Sequence, residues 1–265
     1  MGTQSNYEKI IEWLFLRGYS EGVTEVHVER DDILLAIKKL KLERPKNLGD
    51  VIYSYRYRKS LPKKIAETAP EGARWIIRGK GDGRYCFSLT RQPPIVANAA
   101  MVKIKIPDAT PGVIAKYAFS DEQALLARLR YNRLIDIFTG VVCYSLQSHL
   151  RTKIPGIGQV ETDELYVGVD QSGVQYVLSV QAKGHRDKIE IVQIEQDFAL
   201  AQERFADLIC RPIGAQFLEN DVIALFEFVI DEENVSVRRE QHYRLVAPDQ
   251  ISPDDLVSYR TVGPY

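Results

Sequence analysis

Residues 161–183 constrain this chain more than any other stretch. They read Glu161-Thr-Asp163-Glu-Leu-Tyr-Val-Gly-Val-Asp170-Gln-Ser-Gly173-Val-Gln-Tyr-Val-Leu-Ser-Val-Gln181-Ala-Lys183. Leu165–Val169 and Val174–Val180 are rich in β-branched and aromatic residues, the composition of strands. Asp170-Gln171-Ser172-Gly173 suits a type I turn closed by a left-handed glycine. A hairpin with that turn sets Asp170 opposite Val174, Asp163 opposite Gln181 and Glu161 opposite Lys183. Side chains alternate along a strand, so Glu161, Asp163, Gln181 and Lys183 share one face and Glu164 points to the other. A slip of one residue would exchange Glu164 for Asp163.

Val177-Leu178-Ser179-Val180 reads as a strand buried on both faces, and charges at the end of such a strand sit near a cleft. Carboxylates beside an ammonium there suit metal-dependent phosphodiester hydrolysis. A divalent cation neutralises charge and orients water, and a lysine holds the water or stabilises the transition state. On this reading Asp163 is the main metal ligand, Gln181 offers a carbonyl oxygen, Glu161 is a further ligand and Lys183 acts beside the water. The competing reading is a cross-strand surface ion pair between Asp163 and Lys183. Asp136, at helical spacing from Asn132, is a candidate third acid from the preceding helix. Gln193 and Asp197 lie one turn apart on the following helix, where solvation of a polar face is the default.

The net charge of −1 conceals an asymmetry. Lys38–Arg91 carries 15 Lys/Arg against 5 Asp/Glu, a balance of +10. A basic segment of that kind points to a polyanionic partner, with a solvated lysine-rich surface as the plain alternative. Arg56, Arg58, Lys59, Lys63 and Lys64 are the candidate contacts, interleaved with Tyr53, Tyr55 and Tyr57. Three widely spaced cysteines without a Cys-x-x-Cys pair argue for a reducing, cytoplasmic setting and against structural zinc. The four histidines show no metal-ligand spacing. The longest apolar run, Val222–Ile230, is too short for a bilayer, and no secretory signal is apparent.

Apolar periodicity predicts a helix over 6–17, a second entered at Asp31-Asp32 and a third over 48–57, then short strands at 75–77 and 85–87 around a glycine turn. That order suggests a winged-helix-like, basic DNA-recognition module over 1–92. Prolines mark 93–118 as a linker with a strand at 101–106. Leu125, Leu129, Ile135, Phe138, Val142 and Leu146 predict a long helix over 121–151. After the hairpin come a helix over 186–209 and strands at 213–218, 222–230 and 235–246. The region 119–265 is therefore a mixed α/β (α+β) core, a sheet flanked by helices.

Asp163 followed by Gln181-Ala182-Lys183 resembles the bipartite motif of the PD-(D/E)xK nuclease superfamily, in a variant with glutamine at the middle position. Tyr131–Phe138 through Gln193–Asp197 is similar to bacterial type II restriction endonucleases. The family's proline before the aspartate is replaced by Thr162. The resemblance implies a restriction-endonuclease-like sheet and a magnesium-dependent enzyme cutting specific sites in double-stranded DNA. It implies a homodimer working beside a cognate DNA methyltransferase. Asp163 would be the metal-binding aspartate, Gln181 the replaced acidic ligand and Lys183 the catalytic lysine. The alternatives are a non-catalytic DNA-binding regulator with a degenerate nuclease-like domain, and a nuclease acting on RNA or structured DNA.

Overall fold

A computed structural model describes residues 5–117, 121–185, 187–231 and 234–261. The chain divides into two compact units, Met1–Pro94 with Arg151–Glu161, and Ile95–Leu150 with Thr162–Tyr265.

The first unit opens with α1 (Asn6–Gly18), whose Ser5 hydroxyl accepts the Glu8 amide at 3.2 Å. Ile10, Ile11, Leu14 and Phe15 form its buried stripe, as the periodicity predicts. Strand β1 (Glu25–Glu29), unforeseen from the sequence, leads directly into α2 (Arg30–Leu40). The acidic start works as a capping box in which Asp32 accepts the Glu29 amide at 2.9 Å. Helices α3 (Gly49–Tyr57) and α4 (Lys63–Ala66) precede the hairpin of β2 (Arg74–Gly79) and β3 (Arg84–Thr90). The sheet order is β1-β3-β2, antiparallel throughout. Phe15, Trp75 and Phe87 meet edge to face where helices and sheet close on one core.

In the second unit the stretch read as a linker is built into the fold. Its β4 (Lys103–Pro107) pairs in parallel with the last strand, and α5 (Gly112–Tyr117) follows; residue 118 lies outside the described residues. The long helix predicted over 121–151 is instead α6 (Asp121–Tyr131), α7 (Leu134–Thr139) and strand β5 (Val142–Ile154). Arg133 and Gly140 take left-handed conformations and end the helical path. Phe138, Val142 and Leu146 are four apart, and an even spacing keeps residues on one face of a strand as well as of a helix.

β5 continues into β6 (Gly158–Val169) and β7 (Gln175–Lys183); then come α8 (Ile191–Arg204), the two-residue β8 (Ile209–Cys210), β9 (Ile213–Phe217), β10 (Val222–Asp231), β11 (Asn234–Val246) and α9 (Pro253–Thr261). The sheet runs β4-β11-β10-β9-β7-β6-β5, with β8 beside β7. β7 and β9 are parallel, joined through α8. Leu125, Leu129, Leu134, Ile135 and Phe138 pack on the face carrying Leu178, Val180 and Ala182. The opposite face is covered by α8, with Ala201 against Leu165 and Val177, and Ile191 and Ile194 against Phe226 and Phe228. β7 is thus buried on both sides, and any polar group on it must find a partner inside. No helix among the described residues is long and apolar enough to cross a membrane.

Candidate active site

The turn at Asp170–Gly173 fixes the register. Asp170 Oδ1 accepts the amides of Ser172 (2.8 Å) and Val174 (3.0 Å), and Gly173 has φ of 82°. Pairing then runs from Val169 opposite Gln175 to Glu164 opposite Val180, the register read from the sequence. Beyond Glu164 side chains replace the ladder. The Ala182 amide donates to Asp163 Oδ2 at 2.7 Å, and the Thr162 hydroxyl donates to the Val180 carbonyl at 3.3 Å. Thr162, standing where the resembling family has proline, is a buried clamp between the two strands. β7 itself stays paired with β9 as far as Lys183.

Glu164 faces away from this group. It is fully buried beneath α6, taking the Arg130 guanidinium at 2.7 Å and the Ser148 hydroxyl at 2.9 Å, with the Ser145 hydroxyl on its other oxygen. The alternation of side chains along β6 therefore gives Asp163 and Glu164 two environments, one partly exposed and one enclosed.

Gln181 is 1% exposed. Its Nε2 donates to Asp197 Oδ1 at 3.1 Å and to Oδ2 at 3.2 Å, and its Oε1 accepts from Gln193 Nε2 at 2.9 Å. Asp197 and Gln193, which a solvated helix face would turn outward, are both buried on the sheet side of α8. Burial drives the Asp197 carboxyl up to about 8, and the Asp163 charge pushes the same way; the Gln181 and Ser179 contacts and the Lys183 charge oppose it. Lys183 is buried two residues beyond Gln181 on the same face. Asp163, Gln181, Lys183 and Asp197 are thus brought together, and Asp197 is the member the sequence reading gave least weight. Its available signal was the i, i+4 spacing of Gln193 and Asp197 inside a segment otherwise apolar at Ile191, Val192, Ile194 and Leu200.

Asp136 and Glu161 are placed differently. α7 packs on the Val180–Ala182 side, away from Gln181. There the Asp136 carboxylate accepts the Cys143 amide at 2.9 Å and meets the Arg133 guanidinium. It anchors the start of β5 and does not join Asp163. Glu161 belongs to the first unit, its carboxylate held by Arg151 Nη2 at 3.0 and 2.9 Å.

A carboxyl group, an amide and an ammonium on one sheet face, with a second carboxyl from α8 above them, form an oxygen-rich set suited to a hard cation such as magnesium. Asp163 and Asp197 are its carboxyl oxygen donors, whereas the Gln181 amide is already committed to Asp197 and Gln193. A separate grouping stands in the first unit. The β1–β3 register sets His27 across from Cys86, and with Glu25 their ligating atoms lie within 4.8 Å. Individual spacings on β1 and β3 did not reveal it, because only strand pairing joins them.

The basic candidates also separate. Arg56 is 8% exposed, with its guanidinium 4.9 Å from the Tyr57 ring centroid. Arg58 is exposed and covers Tyr53 at 5.0 Å. Lys59 is exposed, while Lys63 pairs with Glu67 at 3.4 Å and Lys64 with Glu12 at 3.0 Å. No protein-family model, curated protein or solved structure matches the chain.

Proposed function

We propose that this chain is a magnesium-dependent endonuclease that hydrolyses phosphodiester bonds in double-stranded DNA, in the manner of a type II restriction enzyme. The observation that carries the proposal is the convergence of Asp163, Asp197, Gln181 and Lys183 where the β6–β7 ladder gives way to side-chain bridges. The element order supports it. A mixed sheet flanked by helices is in keeping with the architecture that the PD-(D/E)xK resemblance implies. The helices and β1-β3-β2 hairpin sheet of the first unit are in keeping with a winged-helix-like DNA-recognition module.

Magnesium, when bound, would supply Lewis-acid stabilisation of the phosphoryl oxygens and orient water. Asp163 and Asp197 would hold it, with the negative charge absent at position 181 contributed from α8. Gln181 positions the Asp197 carboxyl, and Lys183 holds the nucleophilic water or stabilises the developing charge. Asp197, whose carboxyl burial raises to about 8, would have to give up its proton to hold the cation. Cleavage as a homodimer, protected against by a cognate methyltransferase, belongs to the same proposal.

A second reading has its own observation. The Gln181 amide is bonded on both sides, which suits a non-catalytic DNA-binding regulator retaining a degenerate nuclease core. Incubation of the protein with plasmid and with EDTA or magnesium separates the two. Discrete magnesium-dependent fragments are the expected result; retention of intact plasmid in complex with the protein would favour the regulator.

A further inference from the structure

The tip of the β5–β6 hairpin, Arg151–Glu161, belongs to the first unit. It is closely seated there. A Cβ on Gly79 would stand 2.2 Å from the Ile157 carbonyl oxygen, and one on Gly158 would stand 2.9 Å from that of Gly81. Two backbones in such contact leave no room for side chains, so glycine is required at both places. Lys153 reaches Asp82 at 2.7 Å on the β2–β3 turn.

Hairpin tip, turn and α3 line one cleft of about 700 Å³. Its walls carry five cations, Arg30, Arg56, Arg58, Arg151 and Lys153, and three carboxylates, Asp50, Asp82 and Glu161. Two of those carboxylates serve as counter-ions of the tip, Asp82 for Lys153 and Glu161 for Arg151. The Lys153–Asp82 pair is exposed on both sides and Arg151 is exposed over half-buried Glu161, so an incoming phosphate can replace Asp82 at small cost and reach Arg151 from the open side. Arg56 and Arg58 are carried on the rings of Tyr57 and Tyr53. The cations come from separate elements spread along an open cleft, which suits a polyanion strand with successive phosphates more than a single small anion.

We propose that the Arg151–Glu161 tip is a DNA-contacting element, and that this cleft seats the phosphate backbone of duplex DNA with Arg151 and Lys153 as contacts. The inference rests on the DNA-cleavage reading and assigns part of its recognition surface to a segment outside the N-terminal module. β6 passes without interruption from the cleft-lining Gln159, Val160 and Glu161 to Asp163, so one strand carries both a backbone contact region and a catalytic aspartate.

The test is fluorescence anisotropy of a labelled duplex in EDTA, titrated over a range of salt. R151A/K153A is expected to bind more weakly, with a slope of log K against log salt shallower by about 1.8, two phosphate contacts at about 0.9 each. D82N, which releases Lys153, is expected to shift affinity the other way. Unchanged affinity and slope in R151A/K153A, while the wild type binds and cuts plasmid, would overturn this inference and leave the nuclease reading standing. Failure of the wild type to bind duplex would overturn both. Competition by a mononucleotide as effective as that by duplex, at equal phosphate concentration, would overturn the strand-binding cleft.

Discussion

The carboxamide of Gln181 donates to both oxygens of Asp197, at 3.1 and 3.2 Å, inside a part of the chain from which water is excluded. The strand position that would carry an acid in the resembling family is therefore an amide that orients an acid from α8. The acidic group is displaced from sheet to helix, where burial raises its carboxyl to about 8.

Lys183→Ala and Asp163→Asn are each expected to lower cleavage of plasmid by at least about 100-fold, the scale of losing one electrostatic stabiliser of a transition state. Duplex binding measured in EDTA should stay within about twofold of wild type, because neither residue lies among the proposed backbone contacts. Cleavage persisting at the wild-type rate in either variant removes that residue from the site.

Asp197 makes metal-free stability pH-dependent. Its folded carboxyl stands near 8, chiefly through burial, against the ordinary carboxylate value near 4 for an unfolded chain. Between these values the folded state binds more protons than the unfolded state. Stability from this group is therefore full below about pH 4 and is lost as pH rises through about 8. In EDTA the melting temperature should fall between about pH 4 and about pH 8 and level off above that, and Asp197→Asn should flatten the fall. Magnesium favours the ionised carboxyl, so its stabilising effect should be larger at pH 8.5 than at pH 6 and should be reduced in Asp197→Asn. Equal pH profiles for wild type and variant would contradict the placement of the buried acid.

Glu164 and Arg130 test the face assignment. Arg130→Ala leaves a fully buried carboxylate without its cation and is expected to cost about 3 kcal/mol, the lower end for breaking such a pair because Arg130 is itself partly exposed. Glu164→Gln should cost about 1–2 kcal/mol and retain cleavage. Urea denaturation paired with a plasmid assay reads both quantities. Loss of cleavage in a folded Glu164→Gln protein would mean that the wrong acidic neighbour had been assigned to the site.

The basic residues proposed as contacts differ in exposure and in pairing. Arg58→Ala/Lys59→Ala is expected to weaken duplex binding and flatten its salt dependence more than Lys63→Ala/Lys64→Ala, since Lys63 and Lys64 are already paired with Glu67 and Glu12. Arg56 is buried, so its replacement should lower the melting temperature as well as the affinity. Equal salt slopes for the two double variants would remove Arg58 and Lys59 from the interface.

What could be read in advance was what depends on local periodicity. The Asp170–Gly173 turn dictates hairpin register, and a period of two then separates Asp163 from Glu164 and joins Asp163 with Gln181 and Lys183. The α1 stripe, the capped start of α2, the α3 segment and the strands after α8 followed from the same kind of pattern. The segment over 121–151 did not, because a spacing of four satisfies helix and strand alike. The conformations of Arg133 and Gly140 decided between them.

Tertiary structure alone decided which polar residues face inward. Gln193 and Asp197 look like an ordinary solvated helix face until α8 is laid against the polar end of β7, where an amide and a carboxyl can satisfy each other out of water. The pairing of His27 with Cys86, the anchoring role of Asp136, and the seating of Arg151 and Lys153 with the first unit are likewise products of chain segments brought together across long separations. The sequence determines which groups are available and, within one hairpin, which way they point. Burial and partnership depend on the packing of distant elements, and those two quantities govern whether a carboxyl is a surface charge, an anchor or a member of a catalytic site.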